Sequence, residues 1–156
     1  MALEIEHKFL VRSTDFRNLA KPIFYRQGYL VISDTKVVRV RIAGEQGFIT
    51  IKARVTSLTR KEFEYKIPIT DAELMLAEMC VGSVIEKLRY RIDYQGFIWE
   101  VDEFLGENEG LIVAEIEVDT EEQEFAKPDW VGLEVTNEPR YLNAYLSEHP
   151  YKSWKQ

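Results

Sequence analysis

Glutamates separated by a single residue occur at Glu4-Ile5-Glu6, Glu62-Phe63-Glu64 and Glu115-Ile116-Glu117. On an extended strand alternate side chains share a face, so each pair sets two carboxylates about 7 Å apart on one surface. Such hard oxygen donors suit Mg²⁺ or Mn²⁺. Cations keep the same two-residue spacing at Arg39 and Arg41, at Lys52 and Arg54, and at Lys87, Arg89 and Arg91, while Lys8 continues the phase of Glu4 and Glu6. Guanidinium forks match phosphate oxygens bidentately. Carboxylates alone would repel phosphate, and a divalent cation between them removes the conflict. The chemistry that unites these groups is metal-dependent binding or hydrolysis of a polyphosphate.

The elements that must position these residues are strands. Period-two alternation covers 3–11, 24–32, 36–42, 48–55, 60–67, 84–94, 97–105 and 111–119. Within 36–42, Val38, Val40 and Ile42 oppose Arg39 and Arg41; within 48–55, Ile49, Ile51, Ala53 and Val55 oppose Thr50, Lys52 and Arg54. Turn residues separate several of the runs, at Gly44-Glu45-Gln46-Gly47, at Gly96 and at Asn108-Glu109-Gly110. Thr70 and Glu73 have the spacing of a capping box and predict a helix to about Cys80. Thr120 is expected to cap a short helix ending before Pro128, and a last helix starts near Pro139 and runs through Tyr145 and Leu146. The expectation is a mainly β, α+β domain. Eight antiparallel strands can close into a barrel, with the helices over its apolar outer face.

The polar phase of these strands holds ten cations (Lys8, Arg39, Arg41, Lys52, Arg54, Arg60, Lys66, Lys87, Arg89, Arg91) and eight acids (Glu4, Glu6, Glu62, Glu64, Glu100, Asp102, Glu115, Glu117). The sum is +2, against −9 for the remainder of a chain of net charge −7. In an ordinary barrel or sandwich these charges would lie in solvent, as charged faces usually do. Arg and Lys recur on nearly every strand, however, and the helices carry apolar residues such as Leu74, Met75 and Cys80 that need an apolar surface to cover. An inverted barrel meets both demands, with its charged phase inward. Buried charges are costly unless wet, paired or ligand-filled, so the lumen is expected to be a water-filled tunnel.

The remaining features are bounds. A chain of 156 residues, 46% hydrophobic and 30% charged, suits one folded domain over 1–156. The acidic balance argues against binding nucleic acid or anionic membrane through the whole surface. Cys80 has no partner for an internal disulfide, which suggests a reducing compartment, and no apolar segment reads as a signal or a span. A cytoplasmic monomer or homodimer is expected. His7 falls on the apolar phase and reads as an outer-face histidine, His149 as surface, and Trp99, Trp130 and Trp154 as core or cover. Gly44 and Gly47 form a turn, since no GK[ST] follows.

Glu4-Ile5-Glu6-His7-Lys8 resembles the ExExK signature of the triphosphate tunnel metalloenzymes of the CYTH superfamily. The likeness continues in order through Arg39-Val40-Arg41, Lys52, Glu62-Phe63-Glu64, Glu86-Lys87-Leu88-Arg89-Tyr90, Glu100-Val101-Asp102 and Glu115-Ile116-Glu117, and Arg140-Tyr141-Leu142-Asn143 is similar to a recurrent family element. The resemblance implies an eight-stranded antiparallel tunnel and a divalent metal, Mg²⁺ or Mn²⁺. It implies metal ligation by Glu4, Glu6, Glu115 and Glu117, and triphosphate binding by Lys8, Arg39, Arg41, Lys52, Lys87 and Arg89. Glu62, Glu64 and Asp102 are implied either to hold a second metal or a water, or to orient the cations through ion pairs; with Lys8 they are the candidates for the chemical step. Arg54, Arg60, Lys66 and Arg91 read as rim residues or as supports behind the site, with the plain surface reading favoured. The expected reaction is hydrolysis of the terminal phosphoanhydride of linear triphosphates. Inorganic tripolyphosphate should be the best substrate, because cations on several strands suit a phosphate chain and no nucleoside pocket is evident. The alternatives are an adenylate cyclase or thiamine triphosphatase of the same superfamily, or a non-catalytic polyphosphate-binding module.

Overall fold

The structure, a computed structural model, describes residues 2–154; the ends of the expected 1–156 domain lie outside the described residues. The predicted strands appear as β1 (Leu3–Val11), β2 (Ile23–Ile32), β3 (Lys36–Ala43), β4 (Gln46–Arg54), β5 (Thr59–Ile67), β6 (Val81–Tyr94), β7 (Phe97–Phe104) and β8 (Ile112–Glu117). A short β9 (Val131–Glu134) was not expected. All neighbours are antiparallel, in the order β5-β4-β3-β2-β6-β7-β8-β1-β9, and β1 also pairs with β5, which closes an eight-stranded barrel. The β6–β7 hairpin turns in two residues, Gln95 and Gly96, both with positive φ (46° and 87°). That backbone twist matches the twist of the flanking strands.

The phase is the inverted one. Charged residues point into a lumen of about 1110 Å³, lined among others by Glu4, Lys8, Arg39, Arg41, Lys52, Lys87 and Glu115. The apolar phase faces out and is covered in sections. Helix α1 (Ile69–Glu78) lays Ala72 and Leu76 on Val40 and Ile42. A larger outer cluster, with Phe9, Phe16, Trp99, Ile116 and Trp130, is roofed by irregular chain and by β9, and Phe125 packs on it against Phe9 and Trp99. Ile51 stays 41% exposed on the outer wall.

Several local expectations are corrected. Pro68, with extended φ and ψ (−56°, 139°), is the N-cap of α1, and no side chain caps it; Glu73 instead pairs with Arg26. No helix forms over 120–128, where Thr120 starts a turn and the chain runs extended enough to deliver Phe125 to the outer cluster. Near Pro139 only a 3₁₀ turn, Pro139–Tyr141, precedes α2 (Asn143–Glu148). Nor does α2 lie on the outer wall. Its Leu146, fully buried, packs with Tyr29, Ile85, Phe104 and Val113, residues on the lumen phase of their strands. Gly82 permits this approach, since a Cβ there would sit 2.6 Å from the carbonyl oxygen of Ser147. Ser83 Oγ donates to that same carbonyl at 3.0 Å.

Candidate active site in the barrel lumen

One wall of the lumen is acidic. Register places Glu6 opposite Glu117 and Lys8 opposite Glu115 on β1 and β8, with Glu100 of β7 opposite Glu115. Lys8 Nζ donates to Glu115 Oε2 at 2.7 Å and lies 3.8 Å from Glu6. Lys52 Nζ sits 3.0 Å from both oxygens of Glu4 and 3.4 Å from Glu62. The surroundings shift these carboxylates in opposite directions. Burial, then the nearby Glu115 and Glu4 charges, push Glu6 well above the usual carboxylate range. Burial also opposes ionisation of Glu115, but Lys8, a hydrogen bond from Glu6 and Arg89 hold it well below that range. Glu62 is raised by burial and by Glu4, and Glu117 by burial, Glu4 and Glu62. Glu4 is lowered because Lys52 outweighs its burial.

The opposite wall is cationic and closely hydrogen-bonded. Arg89 grips Asp102 with two bonds of 2.7 and 2.8 Å and reaches Glu115 at 3.3 Å. Lys87 Nζ donates to Asp102 at 2.7 Å and to Asn143 at 2.9 Å. Arg41 Nε donates to Gln27 at 2.9 Å. The guanidinium carbons of Arg41 and Arg89 each lie 4.9 Å from the centre of the Tyr25 ring, a cation–π arrangement that spaces the two charges. Arg39 donates to Thr50 at 3.2 Å and to Glu64 at 3.4 Å, and its Nε is buried without a partner among the described residues. Burial lowers Lys87 to about 7, although Asp102 works against this. Burial and the Arg39 and Arg89 charges bring Arg41 to about 10. Asp102 remains ionised: Arg89 and Lys87 outweigh its burial and lower it.

The structure thus brings the expected residues into one lumen. Asp102 is ion-paired with both Lys87 and Arg89, Glu64 lies 3.4 Å from Arg39, and Glu62 lies 3.4 Å from Lys52. Glu117 lines the lumen yet is exposed. Arg54, Arg60 and Arg91 also line the lumen, with Arg60 half-buried and Arg54 and Arg91 exposed, whereas Lys66 is exposed and does not line it. Tyr25, Gln27, Thr50 and Asn143 were not expected. The first three lie on the inward phase of their strands, beside Arg41 and Arg39, and that phase was the signal available for them.

A divalent cation fits the acidic wall by donor chemistry. Crowded carboxylates that suppress one another's ionisation would all be relieved by a hard cation with oxygen coordination. Among the described residues, no three acidic side chains already converge in ligating geometry. The oxygens of Glu4 and Glu115 are occupied by Lys52, Lys8 and Arg89, so ligation requires these side chains to part.

The comparisons agree with this geometry. Residues 2–147 match the model of the CYTH domain. The chain is 51% identical over all 156 residues, and over the whole of the relative, to the inorganic triphosphatase of Acetivibrio thermocellus. It is 38% identical to that of Nitrosomonas europaea, covering 92% of this chain and 96% of the relative. A crystal structure of an inorganic triphosphatase superposes with a TM-score of 0.67 at 35% identity, over 94% of this chain and 95% of that one. Barrel, charged lumen and sequence likeness lead to one assignment: the chain belongs to the CYTH family.

Proposed function

We propose that this chain is an inorganic triphosphatase, a hydrolase that cleaves the terminal phosphoanhydride of linear triphosphates. The observation that carries the reading is the division of the lumen. A wall of mutually repelling carboxylates (Glu4, Glu6, Glu115, Glu117) faces a wall of cations (Arg39, Arg41, Lys87, Arg89) that Asp102, Glu64 and Gln27 hold in place. The activity named for the relatives from A. thermocellus and N. europaea suits such a lumen.

The family generally depends on a divalent metal, and we assign Mg²⁺ or Mn²⁺ to Glu4, Glu6, Glu115 and Glu117. When bound, the ion supplies charge neutralisation between carboxylate and phosphate and Lewis-acid polarisation of phosphate oxygens. The chain's own residues bind and orient. Arg39, Arg41, Lys87 and Arg89 hold the phosphate chain and take up charge on its oxygens as the bridging bond breaks. Lys8 and Lys52, each between carboxylates, are available to donate to phosphate when those carboxylates turn away. Cations on several strands suit a row of phosphates, which supports inorganic tripolyphosphate as the preferred substrate, with nucleoside triphosphates slower. A cytoplasmic location belongs to the same proposal.

The test compares kcat/KM for tripolyphosphate, ATP, GTP, thiamine triphosphate and pyrophosphate under one metal condition, with products followed by phosphorus NMR. Tripolyphosphate should be cleaved fastest, to pyrophosphate and phosphate. Cyclic nucleotide with pyrophosphate as products, or pyrophosphate as the best substrate, would overturn the reading.

A further inference from the structure

Asn143 is the first residue of α2, and its side-chain oxygen bonds residues of β2 and β6 and not its own helix. It lines the lumen instead. Its Oδ1 accepts from Gln27 Nε2 at 3.0 Å and from Lys87 Nζ at 2.9 Å. The bond from Gln27 has a second effect. An amide whose nitrogen is committed to Asn143 must present its oxygen the other way, and that oxygen accepts from Arg41 Nε at 2.9 Å. Gln27 is fully buried, so the arrangement has no solvent alternative. Lys87 is constrained likewise. Of its three N–H donors one goes to Asp102 and one to Asn143, which leaves one free for a ligand.

We propose that Asn143 is a positioning residue: through one carbonyl oxygen, α2 sets the orientation of two substrate-binding cations on different strands, Arg41 of β3 and Lys87 of β6. This rests on the triphosphatase reading for its functional consequence and on geometry alone for the positioning. The seat of α2 supports it. Leu146 fills the apolar end of the lumen, and Gly82 and Ser83 hold Ser147, so the helix is fixed relative to β6. The groups facing Lys87 are Asp102 of β7, Arg89 of its own strand, Arg41 of β3 and Glu115 of β8. Asn143 is the neutral acceptor among them.

The test uses Asn143→Ala and Asn143→Asp in the full chain. Removing the acceptor withdraws a hydrogen bond from the Lys87 ammonium, so the Lys87 midpoint, followed by ¹³Cε NMR in the free protein, should fall. Asn143→Asp keeps an oxygen in place and adds a negative charge, so the same midpoint should rise. For tripolyphosphate, Asn143→Ala should raise KM about ten-fold, the scale of one hydrogen bond to a charged group, with a smaller change in kcat. The proposal is overturned if the two variants shift Lys87 in the same direction. It is equally overturned if Asn143→Ala leaves Lys87 and KM unmoved, including the case where only the melting temperature drops, as a purely structural residue would produce. If the wild-type chain turns over no triphosphate, the function reading fails, while the opposite Lys87 shifts still decide the positioning role.

Discussion

The acidic and cationic walls of the lumen are built on opposite principles. On β6 and β7, Asp102 is an anion with two cations on it, and these outweigh burial and the nearby Glu115 to keep it charged. On β1 and β8, Glu6 is an acid beside two other acids, and its surroundings resist its ionisation. The first wall is a finished network, stable in its own right. The second keeps an acid that resists ionisation even with Lys8 3.8 Å away, and it is where the proposed divalent cation would sit. The difference separates charges that the fold already compensates from charges that it leaves opposed.

The sharpest way to break this contrast is to remove the metal. EDTA should abolish turnover, and Mg²⁺ or Mn²⁺ should restore it; full activity in EDTA would end the proposal. Glu6→Gln or Glu117→Gln should lower kcat/KM by roughly 10²-fold or more, as expected when an electrostatic element aimed at developing charge is lost. On the cationic wall the larger effect is on stability. Asp102→Asn leaves Lys87 and Arg89 facing each other without their anion, and the cost should be about 3–5 kcal/mol, read by chemical denaturation. Arg41→Ala and Arg39→Ala should each reduce kcat/KM by about 10-fold to 100-fold with modest changes in melting temperature, through loss of charge-assisted bonds to phosphate.

The smallest effect has the opposite sign. Glu6 titrates above its unfolded value, so between the two values the folded state holds a proton that the unfolded state has released. Stability of the metal-free protein therefore falls as pH rises through that window and then levels off. Glu6→Gln should remove this fall and raise the neutral-pH melting temperature by about 2 °C. A lower melting temperature than wild type in EDTA would contradict the account of the acidic wall.

Strand periodicity carries most of this architecture in the sequence itself. Period two located eight strands, and the density of Arg and Lys on one phase decided which side faced inward. Periodicity cannot find what is neutral or non-local. Gln27 and Asn143 carry no charge pattern, and Asn143 reaches the lumen only because α2 turns into the barrel end. The Thr70–Glu73 spacing misled because Pro68 already provides an extended N-cap and Arg26 attracts Glu73. The stretch after Thr120 was read as a helix, but the burial of Phe125 among Phe9, Trp99 and His7 outweighed local propensity. The strand at Val131–Glu134 is too short, and contains a glycine, to show alternation.

The closing seam of the barrel has a consequence for synthesis. β1 meets β5 through the short register Leu3–Lys61, Glu4–Arg60 and Ile5–Thr59, and finds its other partners on β8 and β9, more than a hundred residues away. β1 therefore cannot be fully seated until β8 and β9 have been synthesised. Glu4, Glu6 and Lys8 ride on that strand. A nascent or partly folded chain can display the cationic wall but not the acidic one, so the capacity for turnover should arrive abruptly, with the last ring-closing step, rather than grow in with chain length.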